Sequence, residues 1–254
     1  MSQSAPKPDY EEKLIESFSK HARNYERHAQ LQRSMAERLA SMLPCPLPQP
    51  ILEIGCGTGF FTKHLLSKEA KQLYLNDLAP GMLETVKNQL SLPPKCELLL
   101  GNAEHMKFPK VRMITGNAVF QWFQSPQETL SEFTQFLEKN GNVLFNTFGS
   151  KTLQEFRYLG SLESPNFLLT SERWENSLKS AGYKITCKET EERHVFFPST
   201  RELLKNLQQI GAAPIRMLKP SELKKLIRDY DEEFKTDQGV YTQWELLYFS
   251  ASKL

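Results

Sequence analysis

Short continuous apolar runs alternate with helically spaced stretches along most of this chain. Runs at Ile51–Ile54, Gln72–Asn76, Cys96–Leu100, Val111–Asn117 and Asn142–Thr147 read as strands. Between them, apolar spacing predicts a helix from the glycine-rich turn after residue 54 to about Lys68, one from Ala79 to about Leu90, and one over Gln127–Glu138 that turns at Asn140-Gly141. Strand–helix–strand units of this kind build a parallel sheet. Upstream, residues 10–43 read as helical, with Leu14, Ile15, Phe18, then Leu31, Met35 and Leu39 on the apolar side. Pro44, Pro46, Pro48 and Pro50 alternate and impose an extended linker. Downstream, residues 151–182 read as helical, with Thr170 capping a segment that carries Trp174 and Leu178. A strand over Tyr183–Thr190, helices over Thr200–Ile210 and Pro220–Tyr230, and a last strand over Val240–Ser250 follow. The expected organisation is therefore a helical cap (1–43), an α/β core (44–150), and lid helices with strands that complete the sheet (151–254).

Composition narrows the class. The chain has 254 residues, 39% hydrophobic and 24% charged, enough for one α/β domain with a small insertion. A net charge of +2 carries no signature of a nucleic-acid or membrane partner, and neither is expected. No apolar run reaches the roughly 18 residues of a membrane span, and residues 1–9 lack the apolar centre of a secretory signal. Cys45, Cys56, Cys96 and Cys187 form no C-x-x-C pair, so neither a disulfide framework nor a metal site is expected, and a reducing, cytoplasmic setting fits. Ser252-Lys253-Leu254 matches a peroxisomal address but reads equally as a chance tripeptide after a strand, the reading preferred here.

The candidate chemistry starts at Glu53-Ile54-Gly55-Cys56-Gly57-Thr58-Gly59. Glycines on alternate positions after a strand deliver bare peptide N–H groups where open α/β sheets bind nucleotides. A dinucleotide fingerprint would need glycine at position 60, which is Phe60, so a dehydrogenase is disfavoured. The spacing instead resembles the E/D-x-G-x-G-x-G turn of class I S-adenosylmethionine (SAM) methyltransferases. Asp77 lies twenty residues beyond Gly57, at the end of the second strand, where an acid can hold ribose hydroxyls or cap the following helix. Leu78 is the expected apolar neighbour of the adenine. Gly101-Asn102-Ala103-Glu104 resembles a G-D-A-E turn of this superfamily whose Asp bonds the adenine amine, with Asn102 in its place and Ala103 offering a backbone N–H. Asn117 ends the fourth strand at the same edge and, with Gln121 and Trp122, forms an N-x-x-x-Q-W element. Phe18, Ala22 and Tyr25 match an F-x-x-x-A-x-x-Y segment of many SAM methyltransferases, making Tyr25 a candidate ligand contact.

Taken together, these pieces resemble the malonyl-acyl-carrier-protein O-methyltransferases of biotin biosynthesis. The matching stretches are Phe18–His28, Gly55–Gly59, Asp77-Leu78-Ala79-Pro80-Gly81-Met82-Leu83, Asn117–Trp122, Phe145–Gly149, Leu207 with Ile210-Gly211-Ala212, and Tyr241–Phe249. The resemblance implies a Rossmann-like class I methyltransferase fold: a mostly parallel seven-stranded sheet whose last strand is antiparallel, a helical cap and a helical lid. It implies SAM as cosubstrate, held by Glu53, Gly55, Cys56, Gly57, Gly59, Asp77, Leu78, Met82, Asn102, Ala103 and Asn117. It also implies, as partner, an acyl carrier protein (or, in its place, coenzyme A) bearing a malonyl group, methylated on its free carboxyl. No metal is expected, and a monomer is. A malonyl carboxylate is already ionised at neutral pH, so no general base is required. Candidates to position it are Tyr25, Asn117, Gln121, Trp122, Arg157 and Arg201, with Arg23 and Arg173 as further guanidinium sources. Lys20, Arg23 and Arg27, or Lys205 and Arg216, could steer an acidic carrier. The competing readings are a methyltransferase for a small free carboxylate such as trans-aconitate, and a catalytically silent SAM-binding protein.

Overall fold

A computed structural model describes residues 8–159, 168–210 and 219–254. Its strands are β1 (Ile51–Ile54), β2 (Gln72–Asp77), β3 (Lys95–Leu100), β4 (Val111–Gly116), β5 (Leu137–Phe148), β6 (Tyr183–Phe197), β7 (Lys235–Thr236) and β8 (Gly239–Lys253). They form one sheet in the order β3-β2-β1-β4-β5-β8-β6, with the two-residue β7 paired to β8. β1 to β5 run parallel, and β8 inserts antiparallel between β5 and β6. The expected seven-stranded sheet with one reversed strand is thus present, with β7 added. β1 lies between β2 and β4, so successive crossovers leave it in opposite directions. A crevice opens at the carboxyl ends of the strands there.

Both sheet faces are buried, and residue alternation assigns each side chain to one of them. On β1, Ile51 enters the core beneath α2 (Gln30–Ser41), α3 (Thr62–Ser67) and α4 (Pro80–Gln89), whereas Leu52 and Ile54 enter the core beneath α5 (Pro126–Phe136) and α7 (Ser171–Ser180). Phe145 on β5 anchors the second core, stacked on Phe120 at 4.1 Å between ring centres and packed edge-on to Trp174. The remaining helices are α1 (Pro8–His28), α6 (Gln154–Tyr158), α8 (Thr200–Gln209) and α9 (Pro220–Glu233).

Several boundaries differ from the sequence reading. The helical span 10–43 divides at the fully buried Ala29 into α1 and α2. Asn140-Gly141 lies inside β5 rather than before it: Val111 pairs with Leu137, Met113 pairs with Asn142, and the extra residues form an irregularity with Asn140 at φ +60°. β6 extends to Phe197 because it pairs with β8 along almost its whole length as the outermost strand. Its Lys-Glu-Thr-Glu-Glu-Arg run suits a half-exposed edge and hid the strand's continuation past Thr190 from a hydrophobic scan. β8 reaches Lys253, whose ammonium donates to the carbonyls of Thr134 and Leu137, so Ser252 and Lys253 are sheet residues. Thr170 caps α7 as expected, its hydroxyl accepting from the Arg173 N–H at 3.2 Å. Of the expected lid, α6, α8 and α9 are described; Gly211, Ala212 and Arg216 lie outside the described residues.

The N-terminal cap meets the core at Gly81, in the first turn of α4. A Cβ there would sit 3.0 Å from the Ser19 Cα and carbonyl oxygen of α1, a contact with backbone that cannot swing aside. Gly81→Val is therefore expected to force α1 off α4 at a cost of about 1–3 kcal/mol. Thermal unfolding should show a lower midpoint, and limited proteolysis should cut α1 faster than in the parent protein. An unchanged cleavage rate would contradict this packing.

Candidate active site

The crevice is built by four loops that leave β1, β2, β3 and β4 at one sheet edge and by α1, which covers them. Gly55 and Gly57 take φ of +59° and +55°, a conformation costly to any side chain. Their neighbourhoods differ. A Cβ on Gly55 would strike Val119 Cγ2 at 2.4 Å, so this glycine permits packing; one on Gly57 would meet nothing within 4 Å. Gly57 therefore presents an open backbone face to the crevice. A Cβ on Gly59, expected with them, would strike Val86 and Leu90 at less than 3 Å, so this glycine serves helix packing instead.

Asp77 ties two of these loops together. Its Oδ2 accepts from the Gly57 N–H at 2.9 Å, and its Oδ1 accepts from the Ala79 N–H at 2.8 Å, ahead of α4. Asp77 thus fastens the start of α4 while lining the crevice. Burial pushes its pKa up to about 6, a rise that the backbone hydrogen bonds from Ala79 and Gly57 oppose. Glu53, buried on β1, accepts from the Thr62 hydroxyl at 2.8 Å, and desolvation drives its pKa to about 8. Near neutral pH the two neighbours divide their roles: Asp77 is ionised and Glu53 keeps its proton. Burial likewise raises the Cys56 thiol, which excludes a thiolate nucleophile, and the Tyr25 phenol, which stays a donor.

The remaining expected residues separate into lining and supporting groups. Cys56, Leu78, Met82, Asn102, Ala103, Asn117 and Trp122 line the crevice, as does Tyr25 from α1. Phe18 of α1 meets Trp122 edge-on at 5.6 Å, and Tyr25 packs against Phe60 at 6.1 Å. Asn117 borders the crevice, but its amide is engaged elsewhere. Its Oδ1 accepts from Asn146 Nδ2 at 2.9 Å, and its own Nδ2 donates to the Gln32 carbonyl. Asn146 also accepts the N–H of Ala118, which holds a left-handed φ of +51°. Gln121 does not line the crevice. It is buried, donating to the Ala118 carbonyl and accepting from Thr147 Oγ1, so it braces this loop.

The arginine candidates do not converge on the crevice. Arg157 turns its guanidinium onto the carbonyls of Ser150 and Thr152, while Arg173 and Arg201 are exposed on α7 and α8. The Arg23 side chain lies outside the described residues. Among the described lining residues there is no lysine or arginine, and the ionisable carboxyl groups are Glu11, Glu53, Asp77 and Glu104. Arg33 and Lys63 lie over the Phe60 ring of the crevice wall, at 5.1 and 5.8 Å from its centre, and share Glu26. Of the basic residues proposed to steer a carrier, Lys20, Arg27 and Lys205 are exposed. Sequence reasoning missed Glu104, which accepts from the Gln124 and Ser125 N–H groups and from Thr129 Oγ1 and so joins the β3 turn to α5. It also missed Glu11. No group of three or more His, Cys, Asp or Glu residues suited to a metal occurs among the described residues, and no helix there is long and apolar enough to cross a membrane.

A sheet of this order, with an open glycine turn after β1 and an acid closing β2 on the same crevice, defines a class I SAM-dependent methyltransferase. The orphaned buried hydroxyl of Thr58 and the open face of Gly57 fit a nucleoside cosubstrate with polar ends. A family model described as a methyltransferase domain matches residues 52–145. The malonyl-[acyl-carrier protein] O-methyltransferase of Anoxybacillus flavithermus is 32% identical over 88% of this chain and 90% of its own. The enzyme of the same name from Bacteroides thetaiotaomicron is 30% identical over 94% and 97%. This chain belongs to the malonyl-[acyl-carrier protein] O-methyltransferase family. Solved structures agree on the fold. The YcgJ protein of Bacillus subtilis superposes with a TM-score of 0.63 at 15% identity, covering 87% of this chain and 98% of that one. A SAM-dependent methyltransferase of Mesorhizobium loti does so with 0.55 at 16%, covering 85% and 96%.

The Glu53 proton gives a pH test. Its carboxyl releases a proton near 4.5 in the unfolded chain and near 8 when folded, so between those values the folded protein binds more protons and its stability falls as pH rises. Glu53→Gln removes that slope. Urea midpoints measured from pH 5 to 8 should show the variant gaining steadily on the parent; parallel profiles would contradict the assignment.

Proposed function

We propose that this enzyme transfers the methyl group of SAM to the free carboxyl of a malonyl thioester on acyl carrier protein, an early step of biotin synthesis. The observation that carries the reading is the Gly57–Asp77 pair: an open backbone face beside an ionised carboxylate at the sheet's switch point. Family membership supplies the substrate class and favours carrier-bound malonyl over a small free carboxylate. Expected cosubstrate contacts are Asp77 to the ribose, Leu78 and Ala103 beside the base, and the Gly55–Gly57 turn along the chain that leads to sulfur. The division at residues 43 and 150 and the cytoplasmic, monomeric state belong to the same proposal.

SAM supplies an electrophilic methyl on a cationic sulfur. The protein has little covalent chemistry to do, because the attacking oxygen is already anionic. A carboxylate oxygen forms the new C–O bond as the C–S bond breaks and its electron pair stays on sulfur, giving methyl ester and S-adenosylhomocysteine. Charge is annihilated in this step, so shielding from water favours it. Phe18, Tyr25 and Trp122 provide that shield, and the Tyr25 hydroxyl and Trp122 indole N–H are neutral donors that can orient the oxygen without neutralising it. Alignment can lower such barriers by at most about 7–11 kcal/mol. Arg33 and Lys63 above Phe60 support approach of an acidic carrier from that side.

Incubation with malonyl-acyl carrier protein and labelled SAM should yield the malonyl methyl ester, whereas free malonate and trans-aconitate should be poor acceptors. A preference for free dicarboxylates would overturn the substrate assignment. Asp77→Ala should weaken S-adenosylhomocysteine binding about 10- to 100-fold by calorimetry, the loss expected when hydrogen bonds to a charged group are removed. Unchanged affinity would remove Asp77 from the site.

A further inference from the structure

Among the described residues, three of the four carboxyl groups lining the crevice are occupied by donors from their own neighbourhood. Asp77 takes two backbone N–H groups, Glu53 takes the Thr62 hydroxyl and Glu104 takes three donors from the start of α5. The fourth, Glu11, comes from the first turns of α1, ninety-one residues from its partner. Its Oε2 accepts from Asn102 Nδ2 at 2.9 Å, and no further partner of this carboxyl is found among the described residues. Asn102 is itself spent on local structure, since its Oδ1 accepts the Glu104 N–H at 3.0 Å. Its amide therefore serves as a bracket that holds a carboxylate from the cap over the end of the crevice formed by the β3 turn. At the same turn, Gln124 lines the crevice with an Nε2 that is buried and has no hydrogen-bond partner, while its backbone N–H is fixed by Glu104. One short network, Glu11–Asn102–Glu104–Gln124, thus presents an acceptor with spare capacity and an orphaned donor to one cavity.

Adenine is the base that asks for both. Its exocyclic amine donates, and its unprotonated ring nitrogens accept. We infer that Glu11, brought in by the N-terminal helix and positioned by Asn102, is the acceptor that reads the exocyclic amine of the cosubstrate's adenine, with Gln124 Nε2 the donor to a ring nitrogen. This rests on the proposed SAM site and adds to it a base-specific contact supplied by the cap. It also makes the cap part of cosubstrate recognition: the nucleobase is fully read only when α1 is seated.

Calorimetric binding of S-adenosylhomocysteine and its inosine counterpart, in which a carbonyl replaces the amine, separates this from a merely structural role. The parent should prefer the adenine compound by about 10- to 100-fold, the range expected for one charge-assisted hydrogen bond and the group left unpaired without it. Glu11→Gln should bind the adenine compound more weakly and lose most of that preference. Asn102→Asp sets two carboxylates at hydrogen-bond distance and should weaken binding. Combining it with Glu11→Gln removes that repulsion and should restore thermal stability, but not the preference for the adenine compound, because position 11 no longer offers a carboxylate. If Glu11→Gln lowers affinity for both compounds equally, the carboxylate only seats the helix and the inference fails while the SAM site stands. If the parent binds neither compound, the SAM site itself is wrong.

Discussion

One carboxylate with two backbone donors holds this site in shape. Asp77 ends β2, reaches across to the Gly57 N–H in the loop after β1, and turns back to the Ala79 N–H before α4. Without it, two adjacent loops would each expose unpaired amides at a sheet edge, a cost that short loops rarely carry. Burial works against the arrangement, raising the carboxyl to about 6. The backbone donors still keep it ionised near neutral pH. The same residue that closes the turn therefore also leaves a negative charge at the crevice, the charge on which the proposed ribose contact rests.

Around that point the protein invests in covering the crevice rather than in acid–base chemistry. Its neighbouring acid, Glu53, is pushed to about 8 and stays neutral, so the floor does not accumulate two charges. The Asn117–Asn146 pair and the strained Ala118 fix the β4 loop, Glu104 fixes the β3 turn, and α1 closes over both with Phe18 and Tyr25. This suits a reaction in which an anion meets a cation and the charges vanish. A strongly cationic pocket would hold the carboxylate too well, and the described lining residues include neither lysine nor arginine.

Much of this was legible in the chain because the signals are local. The Glu53–Gly59 turn, the acid at position 77 and the β1–β4 runs depend on strand edges and on glycines that only a left-handed turn explains, and each lies where the pattern put it. Gly59 shows the limit. Sequence spacing groups it with Gly55 and Gly57, but only the nearness of Val86 and Leu90 reveals that its missing side chain makes room for a helix. The arginines failed for a similar reason. Helical spacing cannot tell that Arg157 folds back onto its own loop, or that Arg201 faces solvent. β6 was underestimated because an outermost strand with a polar face lacks the continuous apolar signature of the central ones.

Glu11 illustrates the information that no local pattern carries. A glutamate in the first turns of a charged helix is ordinarily a solvated residue that favours the helix N-terminus. Its significance arises from a 91-residue separation bridged by one hydrogen bond to Asn102, and that contact requires α1 to lie against α4 closely enough for Ser19 to touch Gly81. A glycine in one helix, a serine in another and an amide in a turn thus jointly set where a carboxylate stands. The departure at position 102, read alone, looks like a weakened adenine contact. Read with α1 in place, it is an amide well matched to a carboxylate from the cap, where an aspartate would meet a second negative charge.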